Sequence, residues 1–152
     1  MQKITTFLWF DTQAEEAAKF YCSVFKNSKI ESTSHYGEGM PAKAGTVMSV
    51  TFALEGQTFV ALNGGPHFKF TPAISLFVSC EDQKEIDTLW EKLSADPASE
   101  QCGWLKDRFG LSWQIVPRIL NELMHNGAAM QELMKMKKLD IARLQQAALG
   151  KT

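Results

Sequence analysis

The first 117 residues run through one succession of elements twice. Residues 4–10 are apolar, aromatic and β-branched and predict a buried strand ending in Leu8-Trp9-Phe10. An amphipathic helix is predicted over residues 13–25, with Ala14, Ala17, Ala18, Tyr21, Val24 and Phe25 at helical spacing and Asp11-Thr12 placed to cap it. Strands follow over residues 29–36, 46–54 and 57–62, the last two joined by the hairpin signal Glu55-Gly56. A loop, Gly37-Glu38-Gly39-Met40-Pro41, separates the first two of these strands.

The succession then restarts. Residues 73–78 predict a strand containing Leu76-Phe77-Val78, and Asp82 can cap a helix over residues 83–94. After a break around Asp96-Pro97 come strands over residues 101–106 and 111–116, separated by the turn Asp107-Arg108-Phe109-Gly110. Duplication of hairpins with one helix per half demands an α+β fold rather than a doubly wound sheet. The expected organisation is one folded unit with a first module at residues 1–65, a second at 66–117, and a helical C-terminal extension at 118–152. In that extension Ile119, Leu120, Leu123 and Met124, then Met130, Leu133 and Met134, then Leu139, Ile141, Leu144 and Ala148 are helix-spaced, with Gly127 as a break. Two or three short helices packed on the core are expected.

Charge and cysteine content exclude several function classes. Lys plus Arg is 16 and Asp plus Glu is 17, a net charge of −1. Such a chain carries no electrostatic footprint for nucleic acid or an anionic membrane. No window approaches the ~18 apolar residues of a membrane span, and the first six residues do not read as a signal peptide. Cys22, Cys80 and Cys102 are odd in number and form no CxxC pair, which argues against a disulfide framework or a zinc knuckle. A cytoplasmic protein is expected.

The chemistry-bearing residues are sparse. His35, His67 and His125 are scattered, with no HxH, HxxxH or HExxH spacing. Cys102 has no base beside it in sequence, and Gly64-Gly65 extends to neither GxGxxG nor a P-loop. Aromatic residues say more: Trp9, Trp104 and Trp113 all fall on predicted strands. A curved sheet covered by a helix on one face can leave an aromatic-lined cavity on the other.

Three segments carry a family resemblance. They are Phe10-Asp11-Thr12-Gln13-Ala14-Glu15-Glu16-Ala17, then Phe70-Thr71-Pro72-Ala73-Ile74-Ser75-Leu76-Phe77-Val78, then the closing run from Gly103-Trp104 through Asp107-Arg108-Phe109-Gly110-Leu111-Ser112-Trp113-Gln114-Ile115 to Val116-Pro117. With the βαβββ repeat they resemble the vicinal oxygen chelate superfamily, which includes glyoxalase I, bleomycin and fosfomycin resistance proteins and extradiol dioxygenases. More narrowly, they resemble its PhnB-like branch, often described as 3-demethylubiquinone-9 3-methyltransferases. The resemblance covers about residues 3–126. It implies two βαβββ modules paired edge to edge around cavities, and a homodimer.

In metal-dependent members the ligands come from the first and fourth strands of each module. Here the first strand offers Ile4, Thr5 and Thr6, the fourth Val60, and the fifth Ala73, Ile74 and Ser75; only Gln114 has ligand chemistry. A lone neutral amide does not hold a divalent ion against water. The expectation is therefore a small-molecule-binding protein with no metal and no cofactor. Its pocket would be lined by Trp9, Met48, Phe52, Trp104 and Trp113, with Tyr36, Asn63 and Gln114 as polar anchors and His67 and Cys102 nearby. The alternative is a superfamily enzyme working from a different site, with His67, Asp107 and Cys102 as candidates. Methyl transfer lacks a donor-binding signature.

Overall fold

In the computed structural model, which describes residues 2–150, the chain divides between Lys69 and Phe70 into two compact units. The first contains β1 (Thr6–Phe10), α1 (Ala14–Val24), β2 (Ser28–His35), β3 (Val47–Leu54) and β4 (Gln57–Asn63). Its sheet order is β1-β4-β3-β2, with β1 parallel to β4 and the other pairs antiparallel. This is the βαβββ module expected.

Strand alternation and register sort this sheet into two sides. Phe52 pairs with Phe59, Val50 with Ala61, and Leu8 with Ala61. Tyr21 of α1 stacks on Phe52 at 6.2 Å, and Phe52 stacks on Phe59 at 5.7 Å. This side is therefore the one α1 covers, and each large apolar side chain fully buried there stabilises the unit by about 1.5–3 kcal/mol. Phe7, Trp9, Val60, Leu62, Ser49 and Thr51 point the other way.

The start of α1 differs from expectation. Gln13 is the N-cap residue and no side chain from the preceding turn caps the helix. Instead the Ala14 N–H donates to Oδ1 of Asn63 at 2.8 Å. Because β1 and β4 are parallel, with Phe10 opposite Asn63, the end of β4 arrives beside the β1–α1 turn. The cap thus comes from a residue 49 positions away rather than from Asp11 or Thr12.

The second unit contains β5 (Ser75–Cys80), α2 (Gln83–Leu93), a 3₁₀ turn (Pro97–Ser99), β6 (Trp104–Lys106) and β7 (Ser112–Pro117). Its sheet has three strands in the order β5-β7-β6, with β5 parallel to β7. Asp82 caps α2 as expected, accepting from the Glu85 N–H at 2.9 Å. β6 is shorter than the sequence predicts. Cys102 (φ 52°) and Gly103 (φ 88°) are both left-handed, so residues 101–103 form a turn, and Gln101 meets Trp104 only through an isolated bridge.

Three helices follow: α3 (Leu120–Leu123), α4 (Gly127–Met134) and α5 (Ile141–Ala148). They are built into the second unit. Val116, Leu133, Met136, Leu139 and Leu144 form a buried cluster, with Cys102 packed against it. The N–H groups of Cys102 and Gly103 donate to the carbonyls of Met136 and Lys137, each at 2.8 Å. Gln83 of α2 donates to the Leu139 carbonyl at 2.9 Å and accepts from the Ile141 N–H at 2.8 Å. Lys138 lies 2.9 Å from Asp87, and this hydrogen bond holds the Asp87 carboxyl below the usual carboxylate range. Among the described residues no helix is long and apolar enough to cross a membrane.

Candidate functional site

In the first unit α1 covers one sheet side and in the second α2 does, and exposed aromatic groups gather on the opposite, open sides. In the first unit Trp9 is half-buried on that side. Its indole N–H donates to the Gly65 carbonyl at 2.9 Å. His67 and Phe68 pack edge-on to it, with ring centroids 6.5 and 4.9 Å away. Phe7, opposite Val60 on the same side, is 62% exposed. Phe68 is not anticipated by the sequence, because nothing in a loop marks which ring folds back onto a strand.

Gly64 makes this arrangement possible. A Cβ there would lie 2.3–2.5 Å from the Trp9 ring, well inside contact distance. Gly64→Ala is expected to displace the Trp9 indole, break its bond to Gly65 and cost about 1–3 kcal/mol. Thermal unfolding and a shift in tryptophan emission read this directly; an unchanged melting temperature and spectrum would show that the loop yields instead.

Other first-unit candidates are structural in their visible contacts. Phe52 is fully buried under α1, and Met48 precedes Val50 on the same side of β3 by alternation. Asn63 spends its amide on the Ala14 N–H and on the Val47 carbonyl, at 2.8 and 3.1 Å. Tyr36 is brought to it: the phenol O–H donates to the Asn63 carbonyl. The two residues join β4 to the loop after β2.

In the second unit register places Trp104 opposite Gln114, Lys106 opposite Ser112, and Ser112 opposite Ser75. These side chains share the open side. Gln114 donates to the Ser75 hydroxyl at 2.9 Å. Trp113 and Leu105 lie on the other side, 2% and 1% exposed. Trp113 therefore belongs to the core, unlike Trp104. Val116 falls on the open side by alternation, yet the C-terminal cluster covers it. The extension thereby leaves this face to Trp104, Lys106, Ser112 and Gln114, with Ser75 and Phe77 of β5 beside them.

The residues considered for catalysis fare differently. Asp107 is 3% exposed. Its Oδ1 accepts from the N–H groups of Phe109 and Leu111 at 2.8 and 3.1 Å, and its Oδ2 accepts from the Trp113 indole at 2.9 Å. It shapes the closing turn. Cys102 sits in the left-handed turn against Met134 and the C-terminal cluster. Burial pushes the Cys80 thiol up to about 12, reinforced by Glu85, and burial also raises Cys22; neither is an activated nucleophile. His67 alone is exposed beside an aromatic group on an open face.

The metal chemistry of related folds does not fit these strands. The first and fourth strands of the first unit turn Phe7, Trp9, Val60 and Leu62 to the open side, and β5 turns Phe77. Apart from the neutral pair Ser75 and Gln114, which are hydrogen-bonded to each other, carbon or indole side chains occupy the positions from which metal ligands would come. Among the described residues no group of three or more His, Cys, Asp or Glu is placed to hold a metal ion.

Comparison with known proteins agrees with this architecture. The family model described as 3-demethylubiquinone-9 3-methyltransferase matches residues 2–116. No curated protein matches. Among solved structures, a PhnB protein from Bacillus cereus, described as a candidate 3-demethylubiquinone-9 3-methyltransferase, is 46% identical with a TM-score of 0.64, covering 76% of this chain and 98% of that one. Protein PA1353 from Pseudomonas aeruginosa is 19% identical (TM-score 0.58), covering 77% of this chain and 97% of that one. A glyoxylase/bleomycin resistance protein/dioxygenase domain from Frankia sp. EAN1pec is 14% identical (TM-score 0.50), covering 78% and 93%. These last two show the fold alone. The family match stops at residue 116, so the helices after Pro117 lie beyond it. The chain belongs to the family described as 3-demethylubiquinone-9 3-methyltransferase, whose model matches most of its length, and it resembles the Bacillus cereus PhnB protein at 46% identity.

Proposed function

We propose that this protein is a metal-free small-molecule-binding member of its superfamily, holding a partly apolar ligand against the open sheet sides at Trp9 and Trp104. One observation carries the reading: each unit keeps a half-buried tryptophan on the sheet side opposite its α1 or α2, with a polar side chain nearby, His67 in the first and Gln114 in the second. Apolar walls with a few placed polar groups are what small-ligand sites use. The acidic residue considered for chemistry, Asp107, is committed to its turn. We also propose a homodimer. The edge strands β1 and β5 carry Phe7 and Phe77, 62% and 57% exposed, and a second copy would cover them.

Titration with 2-naphthol after EDTA treatment tests the binding reading. Saturable quenching of tryptophan emission is expected, reduced in Trp9→Phe and in Trp104→Phe. Quenching that appears only after a divalent metal is added would overturn it. A second reading, an enzyme of the superfamily, rests on His67 beside Trp9; it requires turnover that His67→Ala abolishes while 2-naphthol binding persists. Methyl transfer, which the family description names, finds no glycine-rich strand-to-helix turn for a nucleotide-like donor.

A further inference from the structure

We propose that the cleft beside β6 binds small mono-anionic oxyacids carried on a flat apolar body, a ring carboxylate being the simplest; this names a ligand class for the open-side site and rests on that reading. The cleft encloses about 240 Å³, and its walls include Pro72, Asp96, Ser99, Trp104, Lys106 and Ser112. That is below the ~300–1,000 Å³ of pockets for drug-sized ligands, so its occupant is small.

Three features fix the chemistry. Ser112 is 1% exposed, and its Oγ has no hydrogen-bond partner among the described residues. Buried hydroxyls are nearly always paired, so an orphan lining a cleft calls for a ligand or water. The neighbouring hydroxyls do not share this state: Ser99 Oγ accepts from the Lys106 N–H at 3.0 Å and donates to the Asp96 carbonyl at 2.7 Å, while Ser75 accepts from Gln114. Lys106 stands directly across from Ser112 in the β6–β7 register, and its ammonium makes no ion pair among the described residues. A hydroxyl donor beside a free cation suits an oxyanion. Trp104, one residue pair further along the same side, offers a flat apolar wall.

Asp96 sets the limit on charge. One of its oxygens is held by the Ala98 N–H at 3.2 Å, and its carboxylate remains part of the wall. A second negative charge on the ligand would meet it, so a singly charged acid is preferred over a phosphate dianion.

Isothermal titration and amide NMR with benzoate, benzamide, acetate and inorganic phosphate test the assignment. Benzoate is expected to bind best and to shift the amides of residues 104–106 and 112–114. Lys106→Gln and Ser112→Ala should each weaken benzoate about tenfold or more, ~1.4 kcal/mol, and leave benzamide unchanged. Ser112→Ala removes an orphaned group and should not lower the melting temperature, so lost affinity cannot be misread as unfolding. If benzamide equals benzoate and Lys106→Gln is silent, the oxyanion assignment falls while the open-side site stands. If phosphate binds best, the single-charge limit set by Asp96 is wrong. If no ring compound shifts these amides, both readings of this unit fall.

Discussion

Replacing Asp107 with alanine is expected to lower stability by about 3–5 kcal/mol, the combined cost of leaving buried hydrogen-bond donors without their acceptor. The carboxylate is buried and collects the N–H groups of Phe109 and Leu111 and the indole N–H of Trp113. In the alanine variant the Leu111 N–H and the indole stay buried with no acceptor, and each orphaned donor costs about 1–3 kcal/mol. At ~2–4 °C per kcal/mol for a chain of this size, the melting temperature should drop by roughly 6–20 °C. Asp107→Asn separates charge from shape. Its amide oxygen can still accept from the turn, but its NH₂ would face the Trp113 N–H, donor against donor, so it should recover only part of the loss. A catalytic Asp107 predicts the reverse pattern. Unchanged melting with lost activity in Asp107→Ala would return this residue to the list of catalytic groups.

The same residue shows how far the sequence could be read. The turn from Asp107 to Gly110 is visible in the chain, and so is the cap at Asp82, because both are local: donor and acceptor lie within four positions. The duplicated α+β plan is visible for a related reason, since periodicity and hairpin glycines repeat. The site was less legible. Alternation divides β3 into Val47, Ser49, Thr51 and Ala53 against Met48, Val50, Phe52 and Leu54, but does not say which set meets the helix. That choice is made by Tyr21 stacking on Phe52, a contact 31 positions apart. Trp104 and Trp113 differ likewise. Trp113 faces Leu105 and Trp104 faces Gln114, and only the register separates a core tryptophan from an open-side one. Asn63 carries a pocket-like polar group, yet it is consumed capping a helix 49 residues earlier. Long-range parallel pairing leaves no trace in local sequence.

Truncating Leu139 to alanine should cost about 2–5 kcal/mol, the range for deleting a fully buried leucine, and should also disturb the candidate ligand face. Leu139 is fully buried at the centre of the C-terminal cluster. It also presses on the 101–103 turn: a Cβ on Gly103 would lie 3.2 Å from its side chain. That turn holds Cys102 and Gly103 in left-handed conformations, a costly state for the cysteine. It is secured by the two hydrogen bonds to the carbonyls of Met136 and Lys137, which shortly precede Leu139 in the chain. Trp104 follows immediately. Loosening Leu139 therefore loosens the segment that aims Trp104, and the variant should show a lower melting temperature together with weaker 2-naphthol quenching. Leu149→Ala provides the control: that side chain is 71% exposed and its loss should change stability by no more than ~0.5 kcal/mol. Normal quenching in a destabilised but folded Leu139→Ala would show that the extension stabilises the unit without positioning the site. Parallel loss of both would make these helices, which lie beyond the family match, a working part of ligand binding in this chain.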